Sequence, residues 1–565
     1  MINCKMNSKL ICIAAAATAI LFCSQSCNNR DLNLGGDFIP IDQQYDVYTA
    51  DFPLTDIRME MADSLSGYSN TRITIGAIRD EEFGLTTRSC ALTLIPMHDT
   101  LDFGLNPVFK KFHFSAQADT ISVADPAQTN ILQNINVYEL ESRIDVDKIW
   151  DINTPSVAHK SKRITKGVPV YQGEDSLSFN FTKEFGEKYL TITMDDMKDI
   201  DTYLTKFPGI YIETDKPVGN GGRINMFKLQ LGYETTYRTL TGDVAELAFE
   251  SEYDGERKDT AFYFYYGAQE IYNVDSLLAN ASSGSLFPQY CLNITGHETR
   301  ERAGKAADKI YVEGGGGLKP VVLASEIKNL IEEEISKHTD SPRKAIISSA
   351  SIELPFEFPE DYMDMDHYPE YLNPTCRIKT EDYYTYSSIT DSSSSTEDPG
   401  QVNRSTLVYK PNMTYHVQQI LHAGDAADLS KYNIWFLIMK NEIVGSETTT
   451  DNTEAINQQL NYMNYMNAMY GGYGYGGYGG YGGYGYGGYG YGGYGGYGYG
   501  YGNYGYGSNY YTYAMLMSMY GSGDDEETDI ELDRDRFYNA VLNGPESNRP
   551  PMLKIVYAVP KSIAK

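Results

Sequence analysis

The chain has 565 residues, with 76 acidic against 46 basic side chains and a net charge of −30. A field of that sign repels nucleic acid and anionic lipid headgroups, so a nucleic-acid partner is excluded. The length allows three or four domains, fewer if long segments carry no fold.

The first element is a leader. Lys5 and Lys9 give a positive start, Leu10 to Cys23 is apolar or small throughout, and Ser24-Gln25-Ser26 leads into Cys27. That order predicts a secretory signal over 1–26, too short for a membrane span. A cysteine just after the cleavage point is what a bacterial lipoprotein requires, so Cys27 is the expected lipidation site. Cys23 is a rival, disfavoured because bulky Phe22 precedes it, and an ordinary cleaved signal is the alternative. A polar, lipid-anchored tether is expected over 27–45. Only Asp31 among its first residues is acidic, which leaves surface and periplasmic orientation open. Past the anchor the strongest apolar run, Ile434 to Met439, is far short of a span.

The remainder reads as all-β. Short runs rich in β-branched and aromatic residues, separated by Asp, Gly, Pro and Asn, predict strands at Thr71–Ala77, Ala91–Pro96, Phe109–Ser115 and Ile135–Leu140. The pattern continues at Tyr189–Met194, Gly209–Glu213, Met226–Tyr233 and Thr260–Tyr266. A second block contains Lys309–Val312, Ala345–Leu354, Cys376–Thr380, Tyr432–Met439 and Met552–Val559. Apolar residues at three- and four-residue steps predict helices over Val321–Lys337 and Thr414–His422. Two jelly-roll-like β-sandwich domains are therefore expected, at 46–270 and 271–445, the second closed by 531–565. Within the second, between 445 and its closing segment, lies a low-complexity insertion, 446–530. Its centre, Tyr470–Gly507, holds 15 Tyr, 22 Gly and one Asn. Glycine has the most backbone entropy to lose and no aliphatic residue offsets it, so order is not expected there. Uncharged tyrosines still leave it able to stack on rings or sugars.

Chemical signatures are weak. The densest acidic stretch, Glu357 to Glu370, contains Glu360, Asp361, Asp364, Asp366 and His367 but no glycine at the sharp turn a calcium loop needs; it reads as a solvated loop. The eight histidines show no zinc spacing, and Gly314–Gly317 lacks the Lys-Ser/Thr of a phosphate loop, so it reads as a turn. No serine elbow is present. Neither an enzyme nor a cofactor is expected. Cys90, Cys291 and Cys376 allow one bridge or three buried thiols.

Four stretches are informative together: Leu34-Gly35-Gly36-Asp37-Phe38-Ile39-Pro40; Ile75-Gly76 with Phe83-Gly84-Leu85-Thr86-Thr87; Phe207-Pro208-Gly209-Ile210-Tyr211-Ile212 with Gly221-Gly222; and Pro551-Met552-Leu553-Lys554-Ile555-Val556-Tyr557. In this order they resemble a domain-of-unknown-function family of outer-membrane lipoproteins from Bacteroidota-type Gram-negative bacteria. The Gly/Tyr tract departs from that family's pattern. The resemblance implies an outer-membrane, surface-exposed lipoprotein that works by contact, some relatives being linked to large assemblies such as the machine that folds β-barrel proteins. It also implies O-glycosylation at Asp-Ser/Thr followed by an aliphatic or small residue, giving candidates Ser64, Thr100, Thr120, Ser176, Thr260 and Ser276. The expected role is a non-enzymatic binding or scaffold subunit. A glycan-binding lipoprotein is the alternative, and a glycosidase ranks last.

Overall fold

The computed structural model describes residues 40–41, 44–97, 101–119, 122–124, 132–145, 150–229, 231–234, 239–267, 289–380, 383–393, 398–444 and 527–561. It is all-β, with strands in several sheets and a few short helices. Alternation decides which face of each strand is covered. In Ala245–Tyr253 the odd positions Ala245, Leu247 and Phe249 are buried while their neighbours are half-exposed.

Two large cores form. The first gathers Ile73, Leu92, Phe112, Phe114, Val137, Phe227, Leu247, Phe264 and Tyr266. The second gathers Ile57, Ile310, Leu318, Ile331, Ile352, Phe436, Leu553 and Tyr557. The large first sheet runs through Gly84–Pro96, which pairs with Ile210–Thr214, Glu256–Gly267, Arg72–Asp80 and Cys291–His297.

Strand pairing crosses the domain limits expected from sequence. Tyr45–Pro53 lies antiparallel to Met552–Pro560 along its whole length, from Tyr45 opposite Pro560 to Pro53 opposite Met552. Ile57–Met61 pairs with Leu318–Val322. The first described strands thus belong to the second body, not the first. Conversely Cys291–His297, expected in the second domain, completes the first sheet. The reason is that alternation tells a strand which face to bury but not which partner to take.

The helices Ala324–Ser336 and Thr414–His422 form on the expected stretches, burying Ile327, Ile331 and Ile335, and Val417, Ile420 and Leu421. The strand expected at Tyr189–Met194 is corrected. Lys183–Tyr189 is a helix, capped by Thr182 Oγ1 accepting from Phe185 N–H, and a second helix, Ile200–Lys206, is capped by Asp199. Tyr189 turns its ring into an aromatic cluster with Phe112 and Phe207, at centroid separations of 5.0 and 4.9 Å. Tertiary packing of the rings overrides their β propensity.

The Gly/Tyr tract lies outside the described residues, but the place where its segment leaves and returns is defined. Strand Ile434–Val444 pairs with Glu527–Leu532, and Val444 is the register partner of Glu527. The insertion therefore spans the end of a hairpin, and Met552–Pro560 belongs to a different sheet from Ile434–Val444. Closure entropy changes by only about 0.6 kcal/mol per halving of a loop. Deleting Tyr470–Gly507 is thus expected to shift the melting temperature by less than about 3 °C. A drop of more than about 8 °C in paired thermal melts would show that the tract packs on the body.

Candidate functional site: a cleft where the two cores meet

The junction is built on buried charge. Glu313, on the second core, is fully buried, and its carboxylate meets groups from the first. His297 Nδ1 lies 3.1 Å from Oε1, Thr299 Oγ1 donates to Oε2, and the Leu318 N–H donates to Oε2 at 3.1 Å. Burial alone would push this carboxyl up. The His297, Thr299 and Leu318 interactions outweigh it and hold the group at about 2. Beside it the Gly314–Gly317 segment makes the expected turn, and the turn has a purpose. Its carbonyls at Gly315 and Gly317, with that of Glu313, accept from the buried Lys319 ammonium, the first two at 3.0 and 3.1 Å. Burial lowers Lys319 to about 7, against the pull of Glu313.

A second joint comes from Asp533-Arg534-Asp535-Arg536, just beyond the insertion. Asp535 accepts from Ser69 Oγ at 3.0 Å, Thr71 Oγ1 at 3.1 Å and Asn293 Nδ2 at 3.3 Å, all on the first body. Arg534 donates to the Ser66 carbonyl at 2.7 Å, and the fully buried Arg88 reaches back to the carbonyls of Arg534 and Arg536. Sequence reading passed over this alternating Asp-Arg run. Its only signal was four charges in direct alternation at the end of the acidic stretch Asp524–Glu531, which is also the signature of a solvated loop.

In front of these joints opens a cleft of about 1080 Å³. One wall is the turn Ile78–Phe83 of the first body. The other is formed by 308–309, 357–368 and 537–548 of the second. The turn is held open by Gly84, at φ +68°, where a Cβ would come within 2.5 Å of Glu298 Oε2. Glu82 bridges the walls, accepting from Tyr311 Oη at 2.6 Å and Lys309 Nζ at 2.9 Å, which hold its carboxyl below the usual range. Asn539 Nδ2 donates to Asp80 Oδ2 at 3.1 Å. Burial raises the Asp80 and Asp364 carboxyls and lowers His367, whose ring meets Phe537 edge-on at 5.3 Å.

The acidic stretch 357–370 therefore does not stand alone in solvent. Glu357, Glu360, Asp364 and His367 line this cleft, while Asp361 caps its own turn by accepting from the Met363 N–H. Among the described residues, no three ligating side chains converge as a metal site would require.

Two other groupings resemble chemistry more than they perform it. Cys376 Sγ lies 3.9 Å from His416 Nε2, but that nitrogen also lies 2.9 Å from the Tyr432 carbonyl, to which it can only donate. The ring is therefore no base toward sulfur, and burial pushes the thiol up to about 12. Arg377 is stacked 3.8 Å from the Trp435 ring centre and 4.1 Å from that of Tyr384, with Glu60 at 3.1 Å. Its planar head is already satisfied on both faces and at its edge. Cys90 and Cys291 are free buried thiols, and Cys376 is free and half-buried.

Cys27, Thr100, Thr120 and Ser276 lie outside the described residues. Of the other glycosylation candidates, Ser176 is exposed on strand Ser176–Asn180 and Thr260 is half-buried. Ser64 is half-buried at φ +68°, with its N–H donating to Asp151 and its Oγ accepting from the Tyr384 N–H. The three described candidates sit on separate elements: Ser64 in a turn, Ser176 on Ser176–Asn180 and Thr260 on Glu256–Gly267. Among the described residues no helix is long and apolar enough to cross a membrane. No family model, curated protein or solved structure matches the chain.

Proposed function

We propose that the chain is a non-enzymatic outer-membrane lipoprotein, anchored through Cys27 and displayed at the cell surface, that serves as a binding or scaffold subunit of an outer-membrane assembly. The observation that supports this reading best is the cleft at the junction of the two cores. It offers carboxylates and aromatic rings to a partner, and its walls are braced from behind by buried ion pairs. A site held so firmly suits recognition by contact. The tether after Cys27 feeds directly into Tyr45–Pro53, an edge strand locked to the C-terminal strand, so a pull at the anchor is borne by a continuous ladder.

A glycan ligand is the second reading. Phe358 and Tyr362, 54 % and 71 % exposed, are rings free to stack on a sugar face. Affinity purification from detergent-solubilised membranes separates the two. The scaffold reading expects stoichiometric outer-membrane proteins to co-purify. Recovery of the chain alone, together with retention on a polysaccharide column, would replace it with the glycan reading.

A further inference from the structure

Tyr45–Pro53 ends its sheet, with Met552–Pro560 on one side and no strand among the described residues on the other. Register fixes which main-chain groups that leaves over. At the two ends of an unbroken ladder, Leu54 N–H donates to the Pro551 carbonyl at 2.9 Å and Lys561 N–H to that of Gln44 at 2.8 Å. Even-numbered residues therefore bond to the C-terminal strand, and the N–H and C=O groups of Tyr45, Val47, Thr49 and Asp51 point away from it. Among the described residues, none hydrogen-bonds to those groups. An open edge is a liability, and elsewhere this protein blunts it. The opposite flank of the same sheet, Ile346–Pro355, is covered by helix Thr414–His422: Ala350 N–H donates to Thr414 Oγ1 at 2.9 Å and Ile347 N–H to Gln418 Oε1 at 2.6 Å. The edge strand His159–Arg163 carries Lys160, Lys162 and Arg163. Ser176–Asn180 and Tyr384–Ser388 stop at five residues and Glu527–Leu532 at six. Tyr45–Pro53 runs nine residues with no bulge, no lysine or arginine, and proline only at its last position.

The strand is held ready from its inner face, where Tyr48 stacks on His338 at 3.8 Å and on Tyr557 at 5.5 Å. A ligand meeting it loses only its own freedom. The outer face is apolar at one end: Tyr45, Val47 and, in the row of Val47, Ile346 are 42 %, 64 % and 45 % exposed. At the other end stands exposed Asp51, which has no ion pair among the described residues; its cross-strand neighbour Lys554 is taken by Glu353 at 3.0 Å. A row of alternating donors and acceptors at strand spacing is satisfied by another extended backbone. A second copy would bring its own charge of −30 to the contact, so the edge suits a different polypeptide.

We infer that Tyr45–Pro53 is a docking edge on which an extended segment of a partner protein adds as a further strand. Main-chain hydrogen bonds to Tyr45, Val47, Thr49 and Asp51 hold it, with apolar or β-branched side chains beside Tyr45 and Val47 and a lysine or arginine beside Asp51. The inference deepens the scaffold reading by giving the form of the partner's segment, and it rests on that reading for its biological setting.

The test uses the full chain in its own membranes, with a photoreactive benzophenone amino acid at Val47 as the probe. The same probe at Val218, fully exposed outside this sheet, is the control. Illumination is expected to join position 47, and not position 218, to a different polypeptide. Thr49→Pro removes an outward N–H but no bond of the ladder to Met552–Pro560, so its melt is expected to stay within about 4 °C of the parent. It is expected to cut both cross-linking from position 47 and co-purification of the captured polypeptide by about tenfold, whereas Thr49→Val, which keeps the N–H, retains both. If Thr49→Pro does not fold, the contrast between positions 47 and 218 decides. Cross-linking to a second copy, cross-linking to residues 28–39 of the same chain, or undiminished capture by a folded Thr49→Pro chain would each overturn the assignment. Partners that co-purify with the parent while position 47 captures none would remove the docking edge and leave the scaffold reading standing. Absence of both co-purification and capture would remove the two together.

Discussion

Glu313→Ala is expected to be among the most damaging single substitutions in this protein, costing about 3–5 kcal/mol. The carboxylate is fully buried and is the meeting point of His297, Thr299 and the Leu318 N–H; its truncation leaves them facing a void and strips the nearby Lys319 ammonium of its counter-charge. A melting temperature lower by about 10 °C is the expected reading, since each kcal/mol moves a large domain by about 2–4 °C. Glu360→Ala, an exposed acid, serves as the control and is expected to leave the melt unchanged.

The same group makes a pH prediction. Its folded value, about 2, lies below its ordinary value of 4.5, so its contribution is complete above about pH 4.5 and is lost as the pH falls toward 2. Glu313→Gln is expected to flatten that part of the acid melt profile. Lys319 acts in the same direction but in a higher window. Held at about 7 against an ordinary 10.5, it lets the unfolded chain bind the extra proton between those values, so its share of stability rises with pH across that window. If Glu313→Gln melts like the parent at pH 7 and keeps the full acid dependence, the carboxylate does not hold the two cores together.

The second large effect is all-or-none. Cys27→Ser is expected to move the protein from the membrane pellet to the soluble fraction, because a thioether-linked lipid cannot form on serine. One acyl chain alone anchors marginally, whereas two or three hold firmly, so the loss should be nearly complete. Fractionation after a high-salt wash decides it: a serine variant that still pellets removes the lipoprotein assignment. Protease added to intact cells bears on orientation, digesting the chain if it faces outward and sparing it if it faces the periplasm.

Much of the fold is legible from local pattern, because the pattern is itself the physical cause. The helices Ala324–Ser336 and Thr414–His422 lie within or on the stretches where apolar residues recur at three- and four-residue steps. The strands Gly84–Pro96, Ile346–Pro355 and Met552–Pro560 contain the β-branched runs that announce them. The turn at Gly314–Gly317 was equally plain.

The site was not legible in this way. In sequence Asp80, Asn539 and Glu357 are three polar residues among hundreds, and Asp533-Arg534-Asp535-Arg536 reads as a solvated charge run. Whether Asp80, Glu82 or Asp535 is screened by water or engaged depends on Asn539, Lys309 and Ser69, each more than two hundred residues away, and composition carries no record of them.

What the sequence determined by itself is the class, through alternation that can only bury one face of a strand; the leader over 1–26 before Cys27 is the ground of the proposed lipid anchor, and the Gly/Tyr tract is too poor in aliphatic side chains to predict a core. What only the tertiary structure decided is pairing and enclosure. Tyr45–Pro53 takes Met552–Pro560 as its partner, and Cys291–His297 completes the first sheet rather than the second. The acids at 357–364 come to face the turn Ile78–Phe83 across one cleft. The physical reason is that face selection depends on a residue's immediate neighbours, while choice of partner and loss of water depend on the whole chain closing at once.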